Sequence, residues 1–301
     1  MEKIELKNFQ TKRPISKGAE KWLGKPVKCL DYGFVYLVDY LGSDDSIVQA
    51  ARVSYGKGTK KTSEDRGLIR YLMRHEHTTP FEMIELKFHC KMPIFVARQW
   101  VRHRTASINE YSGRYSVMPN EFYMPEFKEI KGQSTWNHQA RSDQNLDKNQ
   151  TKRVIELLKT CYSTTATAYE EMIDIGFARE LSRIGLSISN YTQWYWKIDL
   201  KNLFHFLKLR MDSRAQYEIQ VFAKAMAKIV KDAFPIAFEA FEDYAIEGIK
   251  WSRLEMDILK KLKIKITPKQ LEKLFTEVNM TNKREQSEFE LKLKEWKILE
   301  Q

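Results

Sequence analysis

The sequence predicts an α+β protein in which strands and helices interleave along the chain, and three observations carry that expectation. Residues 84–90 place apolar side chains at the period of a half-buried strand, and residues 33–40 have the β-branched and aromatic composition of another. Residues 213–234 set Ile219, Phe222, Met226, Ile229, Val230 and Ala233 on one stripe at helical spacing. The 301 residues, 43% hydrophobic and 12% aromatic, are enough to bury a full core in one large domain or two ordinary ones.

Taken in order, residues 1–29 form a basic N-terminal extension rich in Lys, with Pro14, Gly18, Gly24 and Pro26, and read as an arm whose order needs a partner surface. The 33–40 run is β-branched and aromatic, and Asp44 or Asp45 is then expected to cap a helix reaching about Ser54. Thr62-Ser63-Glu64-Asp65 opens a further helix with Leu68, Ile69, Leu72 and Met73 at helical spacing, and Pro80 marks its exit. Ile84, Leu86, Phe88 and Cys90 share one side of the next strand, after which Pro93 suits the first turn of a helix through Trp100. Residues 131–150 are polar and read as a surface insertion before a helix over 152–175. A short helix over 177–186, a strand over 189–198 and a helix over 200–209 with Leu203, Phe204 and Leu207 inward follow. Residues 249–301 form a charged, helix-prone C-terminal extension interrupted near Pro268, and no internal repeat is visible.

Bulk properties exclude several classes. The longest apolar runs, residues 93–101 and 233–241, are broken by Arg98 or Glu239 and fall short of a membrane span, and residues 1–8 carry alternating charge rather than a secretory signal. Cys29, Cys90 and Cys161 are odd in number and far apart, which argues against a disulfide framework or a cysteine zinc site and for a reducing cytoplasm. The formal charge of +11 invites a nucleic-acid reading. Its distribution argues otherwise: eight Lys or Arg face three acids in residues 1–30, and twelve face nine in residues 251–301. The surplus therefore sits mainly in the extensions, as a solvated face.

Chemistry concentrates in residues 99–114. Gln99, Arg102, His103, Arg104, Ser107, Asn109, Glu110, Ser112 and Arg114 supply too many hydrogen-bonding groups for a core segment. Arginine forks fit phosphate, and Ser112-Gly113 allows the backbone to approach an anion, so a phosphorylated ligand is the chemical expectation. Residue chemistry alone also leaves open a surface salt-bridge cluster and an RNA-binding loop.

Arg102-His103-Arg104, followed after seven residues by Ser112, resembles the signature of the flavin-dependent thymidylate synthases, here in the fuller form Arg-His-Arg-x-x-Ser-x-Asn-Glu-x-Ser-x-Arg. Further matches run in the same order: Ala50-Ala51-Arg52-Val53-Ser54, His77-Thr-Thr79-Pro80-Phe81-Glu82, residues 93–100, Arg179-Glu180-Leu-Ser-Arg183, and Leu209-Arg210-x-Asp-Ser-x-Ala-Gln216. The resemblance covers about residues 30–248, interrupted by the 131–150 insertion. It implies a mixed α/β subunit with a central, mostly antiparallel sheet flanked by long helices, assembled as a homotetramer whose active sites are shared between subunits. It also implies methylation of dUMP to dTMP with 5,10-methylenetetrahydrofolate as carbon donor, tightly bound FAD as hydride carrier and NADPH as its reductant.

Carried over by position, the resemblance assigns His77, Thr79, Arg102, His103, Arg104, Glu110, Asp199, Lys201 and His205 to FAD. It assigns Gln99, Arg102, Glu110, Tyr111, Ser112, Gly113, Arg114, Arg183 and Arg210 to dUMP. Asp199, Lys201 and His205 stand where the family pattern has Asn, Arg and Asn.

Methylating C5 requires electron density at that carbon, and Arg210 is the candidate to stabilise the resulting ring anion as a fixed cation, without giving up its own proton. Ser112 has Gly113 and Arg114 beside it rather than a general base, so binding is its expected role. Cys90 lies on an apolar strand face and Cys161 within a helix, so neither suits a nucleophile, and a cofactor must supply the reducing power. His75, His77, His89 and His103 complete no metal-ligand spacing, and neither a dinucleotide-fold glycine fingerprint nor a P-loop is present. A nucleic-acid module does not explain Glu110, Arg183 with Asn190, and Arg210-Met-Asp212 falling in matching order, and the retention of Ser112, Arg114 and Arg210 argues against a paralogue without turnover.

Overall fold

Alternating burial along three strands builds the framework of the computed structural model, which describes residues 12–53, 65–135, 141–262 and 264–299. The elements run α1 (Lys17–Trp22), β1 (Val27–Cys29), β2 (Gly33–Leu41), α2 (Asp44–Arg52), α3 (Asp65–Arg74), α4 (Thr79–Glu82), β3 (Glu85–Pro93), α5 (Ile94–Trp100) and β4 (Ser107–Glu110). They continue with β5 (Lys131–Gln133), β6 (Arg141–Asn145), α6 (Lys148–Asp174), α7 (Arg179–Ser182), β7 (Tyr191–Asp199), α8 (Leu200–Met211), α9 (Tyr217–Ala233) and α10 (Pro235–Phe241). Two compact units emerge, Met1–Phe241 and Glu242–Gln301.

The main sheet has the order β1-β2-β3-β7-β4, with every neighbouring pair antiparallel. The expected α+β class with an antiparallel central sheet is thus what the chain adopts. Val35, Leu37, Leu86, Phe88, Cys90, Trp194 and Trp196 fall on one face and are fully or almost fully buried. Helices α5, α8 and α9 cover that face. Trp100 of α5 meets Trp194 and Trp196 edge-on at ring separations of 5.4 and 5.3 Å and stacks on Phe206 at 5.0 Å. Aromatic rings at such separations add to the area term, and the cluster fixes where α5 ends. The periodic stripe of α9 is buried as expected.

Several local expectations are corrected. Ser43, not Asp44 or Asp45, occupies the N-cap of α2. Asp44 is turned inward to accept from the backbone N–H groups of Ile236 and Ala237, both at 3.0 Å, capping α10 instead. Pro80 does not mark the exit of α3; it lies in the first turn of α4, where a missing N–H costs nothing. Helix α3 instead ends at left-handed Glu76 (φ 56°), where the N–H groups of Glu76 and His77 close on the carbonyls of Met73 and Leu72. Ser54 and Thr62-Ser63-Glu64 lie outside the described residues.

For the described part of the N-terminal arm, from residue 12 on, the partner surface is the chain's own α9. Trp22 Nε1 donates to Asp232 Oδ2 at 2.8 Å, and Gly18 passes so close to the Asp232 carbonyl that a Cβ would overlap it. The 131–150 insertion is less superficial than its polarity suggests. It contributes the β5–β6 ribbon, and Arg141 reaches inward to the buried Glu218.

The second unit comprises α11 (Arg253–Lys261), α12 (Pro268–Glu277) and α13 (Lys283–Glu295). Pro268 breaks the pattern as expected because it starts α12 behind the N-cap Thr267. Leu271, Phe275, Leu293 and Leu299 form this unit's own core. No helix among the described residues is long and apolar enough to cross a membrane.

Candidate functional site

Because Trp100 is anchored in the core, the arginine-rich segment leaves α5 at a fixed place. A turn closed by the His103 N–H on the Trp100 carbonyl (3.0 Å) aims His103 back at α8, its ring edge-on to Phe206 at 4.9 Å. Arg210, in the last turn of α8, donates from Nε to His103 Nε2 at 3.0 Å and reaches the Gln99 carbonyl at 3.5 Å. Burial first, then Arg210 and His205, pull the His103 pKa down to about 4. The ring is therefore neutral near pH 7, accepting at Nε2. Burial and the neighbouring Arg102 also lower the pKa of Arg210.

Arg102, His103, Arg104, Lys201, His205 and Arg210 together line a cavity of about 470 Å³. Among the described residues, none of its arginines is ion-paired, so the pocket offers unneutralised cations to an anion. Asp199 does not line it. Its carboxylate caps α8, accepting from the Asn202 N–H at 2.9 Å and from Asn202 Nδ2 at 2.7 Å. Asn202 and Thr105 do line it, and sequence reasoning missed both. The signal for Asn202 was its place three residues after the capping Asp199.

Glu110, Tyr111, Ser112, Gly113 and Arg183 gather in a second cavity of about 380 Å³. Strand β4 pairs with β7 and delivers residues 110–113, with the Tyr111 N–H on the Gln193 carbonyl at 2.8 Å, while Arg183 comes from the turn that follows α7. Glu110 accepts from Thr192 Oγ1 at 2.7 Å, and Ser112 Oγ accepts from the Arg114 N–H at 3.3 Å. A Cβ on Gly113 would meet Met118 Sδ at 2.9 Å and Arg183 Cδ at 3.1 Å, so a larger residue there would have to displace these two side chains. Arg114 turns to Glu180 at 3.2 Å, outside this cavity.

His77 and Thr79 belong to a third hollow of about 1360 Å³, with Ala50 and Ala51 on its wall. Gln99 lines none of the three and hydrogen-bonds Gln216 through its amide. One chain thus brings most of the assigned residues together in three groups rather than one, with Gln99, Arg114 and Asp199 outside all three.

The antiparallel α+β scaffold bears two arginine-lined cavities, one of them with a neutral, arginine-bonded histidine in its wall, and such a donor set suits phosphorylated small molecules. Comparison with known proteins gives the family. The family model described as thymidylate synthase complementing protein matches residues 36–236. The flavin-dependent thymidylate synthase of Rickettsia conorii is 50% identical over 264 residues, covering 84% of this chain and 90% of that protein. That of Wolbachia pipientis is 53% identical over 255 residues, covering 85% and 89%. Among solved structures, a UMP/dUMP methylase from Streptomyces cacaoi bound with 5-Br dUMP superposes with a TM-score of 0.66 at 31% identity, covering 74% of this chain and all of that one. The chain belongs to the flavin-dependent thymidylate synthase family.

Proposed function

We propose that this protein converts dUMP to dTMP, taking the carbon from 5,10-methylenetetrahydrofolate, with NADPH reducing bound FAD. The observation that carries the reading is Arg210, a partly buried cation fixed on neutral His103 and flanked by Arg102. The donor set of the cavity suits the flavin dinucleotide. Arg102, Arg104 and Lys201 offer charge to its phosphates, and His205 and Asn202 offer hydrogen bonds. When bound, reduced FAD supplies the hydride that turns a transferred methylene into a methyl group.

The chain's own residues orient and polarise. Ser112, Gly113 and Arg183, which line one cavity, hold the nucleotide phosphate, with Arg114 beside them on Glu180. Arg210 stabilises the charge that develops on the uracil ring as C5 becomes nucleophilic; fixed in advance, it does so at little reorganisation cost. His103 remains unprotonated, so it orients Arg210 by accepting a hydrogen bond and does not compete with it as a second cation.

The separation of the assigned residues into three hollows supports a homotetramer in which neighbouring subunits complete one site. The exposure of edge strand β4, with Ile108 40% accessible, supports it too, because an uncovered edge is a ready pairing surface. A cytoplasmic location belongs to the same reading. The test is tritium release from 5-labelled dUMP, with FAD, NADPH and methylenetetrahydrofolate omitted singly and UMP offered as an alternative substrate. Release that requires all three with dUMP is expected, and a colourless protein that takes up no FAD and releases no tritium overturns the proposal.

A further inference from the structure

Glu218 opens α9 with only 1% of its surface exposed, and the site described above does not use it. Three donors surround its carboxylate. Tyr123 donates to Oε1 at 3.0 Å, Arg141 from the β5–β6 ribbon donates to the same oxygen, and Gln216 Nε2 donates to Oε2 at 2.8 Å. A carboxylate accepts and cannot donate, so Gln216 must present its amino group to it. That leaves Gln216 Oε1 facing the other way, where it accepts from Gln99 Nε2. Gln99 is thereby fixed in turn, its amino group directed at Gln216 and its own Oε1 left without a hydrogen bond among the described residues. The Gln99 carbonyl meanwhile accepts from Arg210. A chain of fixed polarity therefore links Arg141 and Gln99 through Glu218 and Gln216, with every donor pointing toward the Glu218 carboxylate and Gln99 one bond from Arg210.

We propose that Glu218 is a positioning residue for Gln99, which lines none of the three cavities of one chain and meets the nucleotide where neighbouring subunits complete the site: the carboxylate, held by Arg141, fixes through Gln216 which end of the Gln99 amide is presented there beside Arg210. The proposal rests on the dUMP reading and adds a role for the inserted ribbon within it. Glu218→Gln tests it because the shape is kept while the polarity is not. Arg141 and Tyr123 both hold Oε1, so the new amide places its NH2 where Oε2 was. Gln216 then turns its oxygen toward that NH2, and Gln99 inverts after it.

The experiment measures dUMP affinity by calorimetry, and KM and kcat by tritium release, on the full flavin-loaded chain. Glu218→Gln is expected to weaken dUMP binding and raise KM about tenfold, the scale of one misdirected hydrogen bond to a ligand, with kcat within about threefold of the parent. In a Gln99→Ala background the same substitution is expected to change affinity less than about twofold, since the residue it acts through is gone. Gln216→Leu, at an exposed position, cuts the chain in the middle and is expected to reproduce the loss if Glu218→Gln does not fold. Equal effects of Glu218→Gln with and without Gln99, or undiminished affinity in Gln216→Leu, overturn the proposal while leaving the dUMP reading intact. A parent protein that binds no dUMP removes the functional reading itself and this role with it.

Discussion

Arg210 donates from Nε to His103 Nε2 across 3.0 Å, joining two residues that stand 107 positions apart. The bond sets both partners: a protonated imidazole has no acceptor nitrogen, so Arg210 keeps this orientation only while His103 is neutral. Arg210→Ala is expected to lower kcat for dTMP formation by about 10²- to 10³-fold, the range for removing one preorganised donor from a developing anion. Flavin absorbance and solution mass should stay those of the parent. Steady-state kinetics with analytical ultracentrifugation checks this, and full activity in the variant would remove the electrostatic role.

The same pair makes stability depend on pH in a defined direction. The pKa of His103 is about 4 in the folded chain against 6.5 for the free side chain. Between those values the unfolded chain binds a proton that the folded chain refuses, so this site's contribution is intact above pH 6.5 and is lost as pH falls toward 4. His103→Gln removes the titration. Urea unfolding of both proteins from pH 7.5 to 4.5 should show the wild type losing ground to the variant as pH falls, and a constant difference would contradict the neutral assignment.

Ser112 accepts the Arg114 N–H at 3.3 Å, and no general base bonds its hydroxyl among the described residues. Ser112→Ala is therefore expected to act on nucleotide binding, raising KM for dUMP about tenfold, the lower range for a hydrogen bond to a charged group, with kcat changed less than about threefold. A collapse of kcat at unchanged KM would point to a nucleophilic serine instead.

The sheet and its covering helices were legible because burial repeats locally: β3 and β7 alternate every second residue and α9 every third or fourth. Edge strand β4 was not, since all four of its residues are exposed and its pairing is set by β7. The arginine and serine cluster was legible as anion chemistry because its residues are adjacent in sequence. The Asp199 cap was not, because a polar residue before a helix reads alike as ligand contact and as cap until its carboxylate is seen on Asn202. Arg141 and Glu218, 77 positions apart, carry no local pattern that would pair them.

Asp44 is the clearest case of a local rule overridden by a distant one, and it yields a second pH effect of opposite sign. Its two carboxylate oxygens accept from the N–H groups of Ile236 and Ala237, while burial lifts its pKa to about 6 against those bonds. A folded value above the ordinary 3.8 means the folded chain holds a proton that the unfolded chain has released. The associated stability is therefore complete below pH 3.8 and is lost as pH rises through about 6. Asp44→Asn cannot titrate, and its single oxygen leaves one of the two N–H groups unpaired, at a cost of about 1–3 kcal/mol. The variant should thus be less stable than the wild type at pH 4, with the deficit shrinking between pH 4 and 6 and the difference level above it. Thermal unfolding across that range checks both parts. A deficit that instead widens with rising pH would show that the backbone bonds outweigh burial and hold Asp44 ionised.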